Sequence, residues 1–253
     1  MKNALLQGRA VTKVFCRGSA ENRVLDRIDV DIYAEDFTVV MGSSGAGKST
    51  LLYALSGMDR ITDGRVLYKG REISSLKETQ MARLRAKEFG FVFQQTHLVS
   101  SLTLLENITV SGYVAGKEKP EKVREHAGKL LSQMEIEKVQ HRMPFQVSGG
   151  EAQRAAVARA VIGMPGILFA DEPTGALNRA NSAEVLDLFT ELNRSGQSIL
   201  MVTHDIRSAV RGNRILYLED GRVIDELVLS SYNELEEKQR EDKISEWLSA
   251  LQW

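Results

Sequence analysis

Short apolar runs rich in β-branched residues recur along the chain: Phe37-Thr38-Val39-Val40-Met41, Phe91-Val92-Phe93, Ile167-Leu168-Phe169-Ala170 and Ile199-Leu200-Met201-Val202. Their composition suits strands covered on both faces, as in a parallel sheet. Helical patterns lie between them, for example Ser49 to Leu55 and Ala152 to Ile162. This alternation predicts an α/β fold with ligands at the carboxyl ends of the strands. The stretch from about 96 to 161 holds helical patterns and polar turns but no comparable apolar run, and reads as a helical insertion into the α/β core. Beyond residue 228 charge dominates, yet Ile244, Trp247, Leu248 and Leu251 fall at i, i+3, i+4 and i+7. That spacing predicts an appended amphipathic helix within 229–253. Its stripe either covers the chain's own core or docks onto a partner subunit.

Charge and cysteine content narrow the setting. With 33 Lys and Arg against 34 Asp and Glu, the net charge is -1, so there is no broad electrostatic reason to expect a nucleic-acid partner. The single cysteine, Cys16, has no internal partner for a disulfide, which points to a reducing compartment. No apolar run reaches the ~18 residues of a membrane-spanning helix. The first residues, Met1 to Arg9, lack the apolar segment and cleavage site of a signal peptide. The expectation is a cytosolic globular chain.

The strongest chemical signal is Gly42-Ser43-Ser44-Gly45-Ala46-Gly47-Lys48-Ser49, a complete G-x-x-x-x-G-K-S phosphate loop between a strand pattern and a helix pattern. Its glycines let backbone amides turn inward around phosphate oxygens, and the helix N-terminus adds partial positive charge. Lys48 supplies a point charge to the β- and γ-phosphates, and the Ser49 hydroxyl can ligate Mg²⁺. A second strand pattern ends in Asp171-Glu172. A carboxylate there can hold Mg²⁺ through its water shell, and its neighbour can activate a water. We assign the metal-side role to Asp171 and the general base to Glu172. His204 follows the run at 199–202 and can reach a γ-phosphate; alone it would be an ordinary strand-end histidine. Ser148-Gly149-Gly150 precedes the helix pattern that includes Glu151, either as a second phosphate-ready helix end or as a simple cap.

In this order, the phosphate loop, Ser-Gly-Gly, Asp-Glu and a later histidine resemble the nucleotide-binding domain of ABC transporters, over roughly residues 5 to 225. The resemblance implies an ATPase domain over 1–228 with an N-terminal antiparallel β subdomain and a mostly parallel sheet, using ATP and Mg²⁺. It makes Val147-Ser148-Gly149-Gly150-Glu151 the signature motif. Gln94 becomes the glutamine that serves both metal and catalysis, Phe15 the aromatic on adenine, and Thr50 a further phosphate-loop contact. It also implies head-to-tail pairing of two such domains, each ATP lying between one phosphate loop and the other signature. Gly90-Phe91-Val92-Phe93-Gln94-Gln95 and Asp171-Glu172-Pro173-Thr174-Gly175-Ala176-Leu177 look like the group of macrolide-exporter, lipoprotein-release, FtsE-like and bacitracin-resistance ATPases. Those partner with FtsX-like permeases, which would place this chain at the cytoplasmic face of the cell membrane. Three positions depart from the family pattern: Glu151 for glutamine, Asn178 for aspartate and Phe15 for tyrosine. Glu151 brings a negative charge towards an ATP site, and Asn178 puts coupling or hydrolysis rate in question. Lys48, Asp171, Glu172 and His204 are all retained, so the expectation is an active ATPase.

Overall fold

Phe37–Met41 and Ser198–Val202 are buried at every position, as runs without polar alternation require when both faces are covered. The computed structural model describes residues 3–17 and 20–253; Met1 and Lys2 of the N-terminal segment lie outside the described residues. In chain order the first elements are β1 (Ala4–Arg17), β2 (Ala20–Tyr33), β3 (Phe37–Met41), α1 (Lys48–Leu55), β4 (Asp63–Tyr68), β5 (Arg71–Glu72) and α2 (Glu78–Glu88). Next come β6 (Phe89–Phe93), α3 (Leu104–Ala115), α4 (Pro120–Gln133), α5 (Gly149–Val161), β7 (Ile167–Asp171) and α6 (Arg179–Arg194). The chain finishes with β8 (Ser198–Val202), α7 (Ile206–Ala209), β9 (Arg214–Glu219), β10 (Arg222–Val228) and α8 (Glu237–Ala250). Two compact units emerge, Met1–Met81 with Gly196–Trp253, and Ala82–Ser195.

In the first unit β3 lies between β8 and β9 and is parallel to both, with Val40 opposite Val202 on one side and Leu216 on the other. β10 pairs antiparallel with β9 and carries Arg222, Asp225 and Glu226 on an exposed edge, where charge discourages further strand pairing. The antiparallel subdomain is a second sheet of order β2-β1-β4-β5. Its long β1–β2 pair is interrupted by register shifts around Gly8–Val11 and Val11–Lys13, and Ala10 takes a φ of 49° there. Leu6, Val11, Leu25 and Ile32 nevertheless stay fully buried.

The C-terminal stripe packs on its own unit. Ile244 and Leu248 are buried, and Arg240, one turn earlier on the same face, is buried with them. A guanidinium is tolerated inside because its donors are spent on backbone carbonyls: Nε to Val210 O at 2.8 Å, and the terminal nitrogens to Gly212 O at 2.6 Å and Ser230 O at 3.0 Å. Tyr232 packs under Arg211 and Arg240 and donates its hydroxyl to Glu237. Burial and that carboxylate push its phenol pKa up. Trp247 Nε1 reaches Asp225 Oδ2 at 2.9 Å while its ring meets Tyr217 edge-on. Ile244 and Leu248 of the stripe therefore cover the chain's own core.

The second unit is built on β6 and β7, parallel, with Phe93 opposite Asp171. Phe91 and Phe169 stack at 5.4 Å and Phe89 meets Phe169 edge-on at 5.2 Å, which locks the register of the pair. α5 is buried nearly all round, and its consecutive small residues Ala155, Ala156, Val157 and Ala158 let neighbouring helices and strands approach on several sides. Between β6 and β7 the described residues are helices and turns.

Replacing Arg240 by alanine should withdraw donors from three carbonyls and cost about 3 kcal/mol. In a chain of this size that is a fall in melting temperature on the order of 8 °C. An unchanged melting temperature would show that α8 is held by its apolar stripe alone.

Candidate functional site

The first unit carries the phosphate loop between β3 and α1. Two of its glycines are forced by close approach. A Cβ on Gly42 (φ 155°) would sit 2.1 Å from Leu218 O of β9, and one on Gly47 (φ 101°) 2.9 Å from Val24 O of β2. Ser43, Ser44 and Gly45 form the exposed rim, while Ala46 is buried and its carbonyl accepts from Gly221 N. Lys48 is buried and its ammonium donates to Gly42 O and Ser43 O, both at 2.9 Å, so the loop wraps its own cation. Ser49 and Thr50 follow in the first turn of α1. No side chain caps that helix; its N-cap is Gly47. First-turn amides have no intrahelical acceptor and carry the positive end of the helix dipole. A cation, bare amides and a hydroxyl at one loop are a donor set that fits phosphate oxygens.

The same unit places two other expected residues near this loop. β8 is parallel to β3 and Thr203 N donates to Val40 O, so His204 leaves its strand at the end where the loop leaves β3. His204 is exposed. Leu25, which lies against Gly47, is opposite Lys13 in the β1–β2 ladder, and Phe15 follows two residues further along β1. Phe15 is 44% exposed, enough to offer a ring face. Lys13 Nζ lies 4.7 Å from its centroid, itself held by Asp59 Oδ1 and Arg60 O at 2.7 Å each.

The second unit gathers the rest. Because β6 and β7 are parallel and Phe93 faces Asp171, Gln94 and Glu172 emerge side by side, with Asp171 at the strand end. Gln94 is exposed, while Asp171 and Glu172 are half-buried. Glu172 has φ 48°, left-handed backbone that a side chain with a Cβ adopts at a cost of about 1 kcal/mol. The turn is closed by Gly175 N donating to Glu172 O at 3.0 Å. A Cβ on Gly175 would stand 2.9 Å from Gln94 Nε2, so the turn also backs the Gln94 side chain. Gln94 and Asp171 carry hard oxygen donors of the kind Mg²⁺ takes.

At the start of α5, Ser148 and Glu151 form a reciprocal capping box. Ser148 Oγ accepts from Glu151 N at 3.2 Å, and Glu151 Oε2 accepts from Ser148 N at 2.7 Å and from the Ser148 hydroxyl at 2.8 Å. The Ser148 amide and hydroxyl hold the carboxyl below its usual range, so the group is an anion at neutral pH. The helix end thus has a carboxylate of its own beside Gly149 and Gly150. Asn178 caps α6, its Oδ1 accepting from Asn181 N at 2.9 Å. The neutral side chain keeps the cap that an aspartate would make.

Sequence reasoning missed Gln153 and Arg159, both on α5. Gln153 is buried and donates to the carbonyls of Phe93 and Pro173. Arg159 donates to those of Thr96 and His97. The available signal was a glutamine inside an otherwise apolar helical face.

The strand–loop–helix unit with its enclosed lysine defines a phosphate-loop nucleotide-binding protein, and the α/β core with an antiparallel subdomain defines the ATP-binding cassette class within it. The chain belongs to the ABC transporter family, whose model matches residues 25–175. It is 42% identical over 204 residues to the lipoprotein-releasing system ATP-binding protein LolD of Aquifex aeolicus, covering 81% of this chain and 91% of that one. It is 38% identical over 224 residues to the macrolide export ATP-binding/permease protein MacB of Pasteurella multocida, covering 88% of this chain and 34% of that one. The chain thus spans about a third of the length of its macrolide-export relatives. Among solved structures, the ATP-binding cassette MJ0796, a dimer in a post-hydrolysis state with ADP and Pi, superimposes with a TM-score of 0.83 at 35% identity, covering 90% of this chain and 100% of that one.

The left-handed backbone at Glu172 has a measurable consequence. Glu172→Gly and Glu172→Ala both remove the carboxylate, but only glycine is relaxed there, so the glycine variant should unfold with about 1 kcal/mol more free energy than the alanine variant. Chemical denaturation of the two decides it, and equal stabilities would mean that the backbone is unstrained.

Proposed function

We propose that this chain is the ATP-hydrolysing subunit of a membrane complex, in which two copies close head to tail on ATP and the closure drives an FtsX-like permease. The observation that carries the reading is the phosphate loop, with Lys48 held inside it and α1 left uncapped behind it. The wider assembly is supported by the likeness to LolD and MacB and by the dimeric MJ0796 cassette. Among the described residues no helix is long and apolar enough to cross a membrane.

In this mechanism, Phe15 stacks on adenine and the loop amides with Lys48, Ser49 and Thr50 hold the β- and γ-phosphates. Ser49, Gln94 and Asp171 would hold Mg²⁺, which supplies charge neutralisation at the β- and γ-oxygens. Glu172 takes the proton of the attacking water, and His204 and Gln94 stabilise the transferring phosphoryl group and place that water. The signature of the opposite copy, Ser148 to Gly150, closes over the γ-phosphate. The permease, not this chain, would choose what is moved, with peptide defence, lipoprotein release and envelope control as the candidate processes.

Glu172→Gln should reduce ATP turnover by more than about a hundredfold while leaving ATP binding intact. Parental turnover in that variant would remove Glu172 from the base role. Lys48→Ala should weaken nucleotide binding itself. Affinity purification from detergent-solubilised membranes tests the partner: an FtsX-like permease should accompany the chain, and soluble partners alone would overturn the membrane reading while leaving the ATPase standing.

The anionic Glu151 makes a separate prediction. Glutamine keeps an oxygen for the Ser148 cap but removes a charge facing the nucleotide. Glu151→Gln should therefore raise kcat/KM for ATP roughly fivefold, the Coulomb cost of about 1 kcal/mol for a unit charge pair about 4 Å apart in water. The gain should fade towards 1 M salt. No gain at low salt would show that the carboxylate does not face the bound nucleotide.

A further inference from the structure

Gln153 is 1% exposed on a helix face otherwise filled by Ala152, Ala156 and Val157. A carboxamide is costly in such a place unless its donors are used. Its Nε2 donates to Phe93 O at 2.9 Å and to Pro173 O at 2.7 Å. Phe93 immediately precedes Gln94, and Pro173 immediately follows Glu172. One nitrogen therefore ties together the backbone beside the two residues that handle water and the γ-phosphate. Further along the same helix, Arg159 holds the other side of the Gln94 segment, through Thr96 O at 2.8 Å and His97 O at 2.6 Å. Burial lowers the Arg159 pKa, yet it stays a cation, and both contacts are charge-assisted. α5 is also the helix that begins at Ser148, Gly149 and Gly150.

We propose that Gln153 is a positioning residue that sets Gln94 and Glu172 relative to each other and to the signature end of α5. This rests on the functional reading above. A movement of that helix end is then passed to the hydrolytic carboxylate through one side chain, without passing through the solvent. The residue type is demanded by the task. Only an uncharged primary amide of this length offers two hydrogens from one nitrogen to two carbonyls. Glutamate at the same place would set its acceptors against the carbonyls, and leucine would withdraw the donors while filling the space.

Two variants of the full-length chain, Gln153→Leu and Gln153→Glu, test this through ATP kinetics over a pH range, amide hydrogen exchange without nucleotide, and melting temperature. For Gln153→Leu the expected result is a kcat lowered about tenfold or more with KM for ATP within about twofold. Amides at Gln94–His97 and Thr174–Gly175 should exchange faster, with those of β7 unchanged. For Gln153→Glu, turnover relative to the parent should rise about threefold or more from about pH 8 to pH 6, because a neutral carboxyl regains one donor. The same ratio for Gln153→Leu should stay flat. A loss confined to melting temperature, or a flat ratio in Gln153→Glu, would overturn the positioning role in favour of a packing role. Unchanged exchange at the two segments would overturn the clamp itself. The functional reading fails separately, by absence of ATP hydrolysis in the parent chain, and the exchange comparison still judges the clamp in that case.

Discussion

Parallel strands paired in register must end on the same side, and each unit of this chain places its chemistry at such an end. In the first unit β3 releases the phosphate loop where β8 releases His204. In the second β6 releases Gln94 where β7 releases Asp171 and Glu172. Nothing about those side chains needs to be adjacent in sequence, because the hydrogen-bond ladder does the gathering. The ladder must itself be rigid, which explains the uninterrupted burial of β3 and β8 and the stacked Phe91 and Phe169 beside β6 and β7. A loop built on a mobile strand would lose the near-contact between Gly42 and Leu218 O that shapes the cradle.

How charge is managed at the two helix starts separates them. α1 has a glycine as its cap, and the Lys48 cation is folded into the loop carbonyls. α5 begins with a capping box whose carboxylate is already an anion. Both arrangements satisfy the electrostatics of a helix N-terminus, one by leaving the amides for a ligand and the other by supplying an internal acceptor. The Glu151 departure from the family pattern is thus structurally comfortable, since the side chain stabilises its own helix. Its penalty falls on any second anion brought to that end. Asn178 has a similar character: as a cap for α6 it is neutral and sufficient, and what it lacks is the charge an aspartate would present beyond the helix.

Local features were legible in the chain. The phosphate loop, the Asp171–Glu172 strand end and the Ser148 cap each occupy a few consecutive residues, and their spacing is their mechanism. The four apolar runs were legible because covered strands need no polar alternation. The β1–β2 pair was not read from residue periodicity, since shifts near Gly8 and Lys13 break the two-residue period that betrays a strand. The stripe on α8 was visible, but which surface it covers was not. The deciding residue, Arg240, reads as a solvated charge until its carbonyl partners on a distant segment are known. Gln153 and Lys13 belong to the same class, as polar groups whose worth lies wholly in nonlocal acceptors.

The backbone at Glu172 shows why such nonlocal support is needed. A left-handed residue directly before proline is unfavourable on two counts, its own Cβ and the restriction proline places on its neighbour. Left alone, that stretch would relax and the carboxylate would swing with it. Two bonds oppose the relaxation: Gly175 N to Glu172 O closes the turn from within, and Gln153 Nε2 to Pro173 O holds it from behind. Strain of about 1 kcal/mol is small against two hydrogen bonds of similar worth each, so the conformation persists. The backbone that carries Glu172 is thus held from both sides.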